Sequence, residues 1–161
     1  MKQVESRTNI RPIRFQQTIP ILRIFDIDKA KTFYVNFLGF SIDWEHRFEH
    51  GRPLYMQISR GDLTFHLSEH HGDCTPGSTV FVITNGLHEF HQEITSKKYS
   101  NLNPGIQWMP WNAEVMEVVD PFGNRIRFNE YLRERKKEAP TDVKIAKPSK
   151  RRAKKKSRSR A

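Results

Sequence analysis

The side chains in this sequence best suited to chemistry are its histidines, and their spacing sorts them. His66, His70 and His71 lie close together, with Asp73 and Cys74 just beyond. Imidazole, carboxylate and thiolate are the donors that hold transition metals. On a strand over 63–69, however, His66 faces one side, while His70 and His71 fall past its end at a Gly-Asp turn. They read as solvated loop residues. His88 and His91 are three apart and share a helix face, a pair with no third ligand. Cys74, the only cysteine, has no helix N-terminus after it and no base fixed beside it, so a reactive thiolate is not expected. The chain has no Gly-x-Ser-x-Gly elbow and no Gly-rich phosphate loop.

A second set of residues suits binding rather than bond-making. Trp44 and Phe48 fall on one face of a strand over 40–48, with Ile42 and His46, and Asp43, Glu45 and Arg47 are expected on the other face. Trp108 and Trp111 bracket Met109 and Pro110 in an irregular segment. Aromatic walls with a few polar anchors suit flat or amphipathic ligands. The plainer alternative for Trp44 and Phe48 is sheet core or a dimer interface.

The elements that must position these residues come in a repeated order. A strand over 18–25 is followed by a helix to about 38, capped by Asp26 or Asp28 and ended by Gly39. Strands over 40–48, 54–59 and 63–69 follow, joined at His50-Gly51-Arg52-Pro53 and Arg60-Gly61-Asp62. The second half repeats this: a strand over 78–84, a helix over 87–98, a short strand near 106–109, then strands over 113–119 and 125–130. One order found twice points to an internal duplication, an α+β domain of two βαβββ modules over 18–69 and 78–130. Alternation sends Thr64, His66 and Ser68 to one face of their strand, and Arg125 and Arg127 to the matching face of the last.

Phe33-Tyr34 followed by Leu38-Gly39-Phe40, the Asp120-Pro121-Phe122-Gly123-Asn124 turn and Arg60-Gly61-Asp62-Leu63 together resemble the glyoxalase and bleomycin-resistance superfamily, the vicinal-oxygen-chelate proteins. The resemblance covers residues 18–130. It implies two βαβββ modules whose curved sheet wraps a crevice, and a homodimer. Enzymes of that family hold a divalent metal on four inward-facing strand positions. Counted from the motifs, those positions here carry Ile19, His66, Thr79 and Arg127. His66 is the only surviving candidate ligand, and Arg127 places a fixed cation where a dication belongs. The expectation is therefore no metal and no other cofactor.

Charge is divided along the chain. The formal net charge is +10. Residues 1–130 carry 14 Lys and Arg against 15 Asp and Glu, and residues 131–161 carry 14 against 3, so a near-neutral domain is joined to a tail of +11. That tail is expected to form a short helix and then to be disordered, with residues 144–160 able to contact nucleic acid non-specifically. Residues 1–17 read as an extension. A single cysteine, no signal-like apolar run and no stretch of membrane-spanning length point to a cytoplasmic protein without membrane contact.

The leading functional expectation is a non-enzymatic homodimer that sequesters a small molecule of the bleomycin class and so confers antibiotic resistance. Its ligand-binding residues are expected to be Trp44, Phe48, Thr64, His66, Trp108, Trp111 and Arg127, with no catalytic residue. One alternative is a metal-dependent lyase, dioxygenase or thiol transferase of the same superfamily. The other is nucleic-acid association through the tail.

Overall fold

The computed structural model describes residues 12–100 and 102–132. The tail beyond 132, with its expected helix and its nucleic-acid contact, lies outside the described residues, as do the first eleven residues of the N-terminal extension.

The first module runs β1 (Ile21–Arg23), α1 (Ile27–Ala30), a π-helical segment (Lys31–Phe37), β2 (Ser41–His46), β3 (Tyr55–Arg60) and β4 (Leu63–Ser68). Asp26 caps α1 in an extended conformation, its carboxylate accepting from the Lys29 amide at 3.0 Å. The helix expected through residue 38 widens from Lys31 into π winding, a change that hydrophobic periodicity cannot report. The widened turns still bury Phe33, Tyr34 and Phe37. Gly39 (φ +75°) ends the segment, and a Cβ there would meet Arg60 Nη1 at 2.6 Å. Arg60 uses that space to donate to the Leu38 carbonyl.

The second module repeats the order as β5 (Thr79–Ile83), α2 (Leu87–Ser96), β6 (Ile106–Met109), β7 (Ala113–Val119) and β8 (Arg125–Tyr131). The sheets are ordered β1-β4-β3-β2 and β5-β8-β7-β6. In each, the first strand lies parallel to the last strand of its module, and the remaining pairs are antiparallel. The matching topologies bear out the α+β reading of two βαβββ modules. Three boundaries differ from expectation. β1 is only three residues long, β2 is shorter than expected, and Tyr131 continues β8 instead of starting a helix. The Leu132 amide, bonded to the Asn112 carbonyl at 3.0 Å, holds that end of the sheet.

Both sheets turn one face into a common core. Leu22, Ile58, Phe65 and Leu67 of the first join Met116, Val118, Ile126 and Phe128 of the second, with Phe33, Tyr34 and Phe37 in the same cluster. A buried polar knot ties the modules. Tyr34 Oη donates to Asp120 Oδ2 at 2.7 Å, and Asn124 Nδ2 reaches both Asp120 Oδ2 (2.7 Å) and the Arg23 carbonyl (2.8 Å). Asp120 Oδ1 accepts from the Phe122 and Asn124 amides. The two sequence signatures thus meet each other across the module boundary. Their work is to hold the fold.

Candidate functional site

The opposite face of each sheet is open. In the first sheet β4 alternates as expected and β3 alternates with it: Met56, Ile58, Phe65 and Leu67 are buried, and Gln57 pairs with His66 on the open face. β2 does not alternate simply. A bulge between Ile42 and Trp44 sets Ile42 opposite Ile58 but Trp44 opposite Gln57, so the extra residue, Asp43, turns to the open face beside Trp44. This corrects the expectation that Asp43 faces away from Trp44 and that Ile42 shares its side.

The bulge completes a chain of hydrogen bonds. Ser59 Oγ and Gln57 Nε2 donate to the two oxygens of Asp43 at 2.7 and 2.9 Å. Gln57 Oε1 lies 3.0 Å from His66 Nε2, and His66 Nδ1 lies 2.8 Å from Tyr55 Oη. The carboxylate can only accept, so the direction is set throughout: the Gln57 amide nitrogen donates to it, and His66 Nε2 carries a proton and donates to Gln57 Oε1. In the neutral ring His66 Nδ1 is then bare and accepts a hydrogen bond from the Tyr55 hydroxyl. The Gln57 and Ser59 bonds hold the Asp43 carboxyl below its usual range. Burial lowers the His66 pKa and favours the neutral ring, while burial first, then the charges of Asp73 and Cys74, raise the Tyr55 phenol.

Aromatic rings surround this chain. Trp44 stacks on Tyr55 (centroids 5.9 Å apart, 15° between planes) and meets His66 edge-on at 5.4 Å. Phe48 stands edge to face with His46 at 5.0 Å and with His70 at 5.6 Å. Trp44, His46, Phe48, Tyr55, His70 and Asp73 line a cavity of about 380 Å³. His70, expected to be a solvated loop residue, therefore belongs to the pocket wall together with Asp73. His71 bridges to Cys74 in the turn, and burial raises the Cys74 thiol, the wrong direction for a nucleophile.

The open face of the second sheet has a different chemistry. Arg125 Nη1 and Arg127 Nε each donate to Glu117 at 2.6 Å and hold its carboxyl below the usual range. Trp111 Nε1 donates to Asn129 Oδ1 at 3.2 Å. Phe81, Trp111, Glu117 and Arg127 share a second cavity of about 500 Å³.

The expected binding residues accordingly divide. Trp44, Phe48 and His66 lie on the first open face, with Thr64 on the same side of β4, while Trp111 and Arg127 lie on the second. Trp108 joins neither. It pairs with Glu114 in β6, on the side of the sheet where Glu114 meets His88 of α2 at 2.8 Å. That corrects its expected binding role: the short strand expected near 106–109 is present, and its alternation turns the indole away from the open face. His91, bonded to the Pro104 carbonyl at 2.8 Å, is likewise an anchor of α2. Sequence reasoning missed Tyr55, Gln57, Phe81 and Glu117, which strand alternation could have found, and Asp43, which nothing local signals.

Of the four positions where the resemblance puts metal ligands, three do not fit a metal. Ile19 has no donor, and Arg127 is a cation held by Glu117. Both nitrogens of His66 are engaged by protein groups. Among the described residues, no group of three His, Cys, Asp or Glu is placed to hold an ion. No helix among the described residues is long and apolar enough to cross a membrane.

Comparison with known proteins agrees with this architecture. A bleomycin-binding protein complexed with bleomycin is 26% identical, with a TM-score of 0.55 over 73% of this chain and 100% of that one. A bleomycin-binding protein from bleomycin-producing Streptomyces verticillus, complexed with copper(II)-bleomycin, is 22% identical (TM-score 0.57, 76% and 100% covered). A glyoxalase-related enzyme from Clostridium phytofermentans is 20% identical (TM-score 0.59, 76% and 100% covered). The last two are similar in fold alone. No curated protein sequence matches the chain significantly. A family model described as "Glyoxalase superfamily protein" matches residues 3–135, and the chain belongs to that superfamily.

Proposed function

We propose that this protein binds and sequesters a flat, cationic antibiotic of the bleomycin class without transforming it, and so protects the cell that makes it. The observation that carries this reading is the aromatic wall of Trp44 and Tyr55 around His66, whose two nitrogens are used inside the protein rather than offered to a metal. Stacking surfaces of this kind hold planar ligands, and the acidic side chains beside them meet positive charge. Similarity at 26% identity to a bleomycin-binding protein supports the same ligand class.

The working unit in this reading is a homodimer in the cytoplasm. Exposed Phe48, Phe81, Ile83 and Trp111 leave apolar area on both open faces, and a two-fold partner can cover it while bringing two such faces around one ligand. Gel filtration of the protein across micromolar concentrations is expected to give twice the monomer mass.

The binding reading is tested by thermal unfolding with and without bleomycin. A ligand that binds only the folded state at 100 times its Kd stabilises it by about 2.7 kcal/mol, which is expected for wild type and is lost in Trp44→Ala. An unchanged midpoint for wild type at saturating drug contradicts the reading.

A further inference from the structure

The pocket beside Trp44 has a polarity that a general binding role does not specify. Its walls are the rings of Trp44, Phe48 and Tyr55, with His46 and His70 edge-on to Phe48. The two polar groups whose hydrogen bonding is fixed are both acceptors. Tyr55 donates its hydroxyl hydrogen to Nδ1 of the neutral His66 ring, whose Nε2 hydrogen is fixed by the chain through Gln57 to Asp43, so the phenol oxygen has lone pairs alone left to offer. Asp73 is held from behind: fully buried Ser68 donates to its Oδ2 at 2.6 Å, while Ser68 Oγ accepts from the His70 amide at 3.0 Å. Among the described residues Asp73 makes no ion pair, whereas Glu45 of β2, Glu69 just past β4 and Glu117 of the second sheet do. Arg23, paired with Ser68 across β1 and β4, sets its guanidinium over the Phe25 ring at 4.8 Å instead.

We propose that this pocket is a subsite for an N–H-bearing organic cation, a primary ammonium or guanidinium group, held by Asp73 and the Tyr55 oxygen against the Trp44 and Phe48 rings. Ring faces attract a cation through their quadrupoles, and charged N–H donors form strong hydrogen bonds with a carboxylate. A quaternary ammonium can use the rings but not the two acceptors, and a neutral group gains nothing from the charge of Asp73. The proposal rests on the binding reading above and names the part of the ligand that this face receives.

The test uses full-length protein labelled with nitrogen-15, in which the indole resonance of Trp44 is assigned by its loss in Trp44→Phe. Benzylammonium is expected to shift that resonance saturably, and benzyl alcohol to bind about tenfold more weakly, the loss of one hydrogen bond to a charged group. Asp73→Asn, which keeps an oxygen for Ser68, is expected to weaken benzylammonium by about tenfold and leave the alcohol unchanged. Tyr55→Phe is the second variant, expected to weaken benzylammonium but not benzyltrimethylammonium. Equal binding of alcohol and ammonium, or a folded Asp73→Asn protein that binds benzylammonium as wild type does, overturns the proposal. Equal binding of bleomycin by wild type and Asp73→Asn overturns the subsite and leaves the sequestration reading intact. Benzylammonium held at Trp44 with no binding of bleomycin supports the subsite and overturns that reading.

Discussion

The two open sheet faces share a topology and little else. Both lie on four strands in the same order, and both present aromatic rings beside a carboxylate. In the second, Glu117 is neutralised by Arg125 and Arg127, so its charge is spent inside the protein. In the first, Asp43 anchors a relay that fixes His66 and Tyr55, while Asp73 remains free of any ion pair among the described residues. The same frame occurs twice, and its side chains differ: the first face keeps a carboxylate outside any ion pair among the described residues, and the second does not. The covered faces show the reverse: both feed one core, and the signature residues Tyr34, Asp120 and Asn124 join them.

The sharpest division to probe is between residues that hold the fold and residues that face a ligand. Asp120→Ala removes the acceptor for Tyr34, for Asn124 and for two backbone amides in a buried site. The expected destabilisation is about 4 kcal/mol by denaturant unfolding, since each orphaned buried donor costs about 1–3 kcal/mol and the losses overlap. Tyr34→Phe removes only one of those bonds and is expected to cost about 1.5 kcal/mol. Trp44→Ala, on an open face, is expected to change stability by less than about 1 kcal/mol.

A smaller effect concerns the clasp between modules at Arg60. Hydrogen bonds from Arg60, then Lys97, bring the Glu93 carboxyl down to about 2 from 4.5. A lowered folded-state value means stabilisation that is complete above 4.5 and lost as pH falls from there toward 2. Glu93 is 41% exposed, so solvent screening reduces its worth to about 1 kcal/mol at neutral pH. Glu93→Gln is expected to unfold that much more easily at pH 7 and to match wild type near pH 2.

The tail gives a contrast outside the described residues. If residues 144–160 contact nucleic acid, full-length protein binds a random DNA duplex at low salt, and neutralising about six phosphates gives a slope of log K against log salt near −5. A 1–138 truncation is expected to lose this binding in fluorescence anisotropy while retaining its small-molecule ligand. Equal DNA binding by both proteins contradicts a role for the tail.

Much of the frame was legible from sequence because its signals are local. Asp26 caps a helix, Gly39 ends one, and alternation marks Phe65 and Leu67 as the buried side of β4. The open faces were legible only where a strand keeps strict alternation. The bulge at Asp43 shifts β2 by one residue without any glycine or proline to announce it, so the relay to His66 was hidden. The short strand near 106–109 was legible, but its register was not, and pairing with Glu114 of β7 is what puts Trp108 on the side away from the open face. Asp73 and His70 looked like turn residues because their partner ring, Phe48, comes from a loop distant in sequence.

The account rests on ligand recognition by the first open face, and calorimetric titration of bleomycin into full-length wild type, Trp44→Ala and Trp108→Ala tests it most directly. It predicts saturable binding by wild type, a loss of at least about tenfold in Trp44→Ala from the missing stacking surface, and an affinity within about twofold of wild type for Trp108→Ala, whose indole lies on the other side of its sheet. Unchanged affinity in Trp44→Ala, or a loss confined to Trp108→Ala, contradicts it.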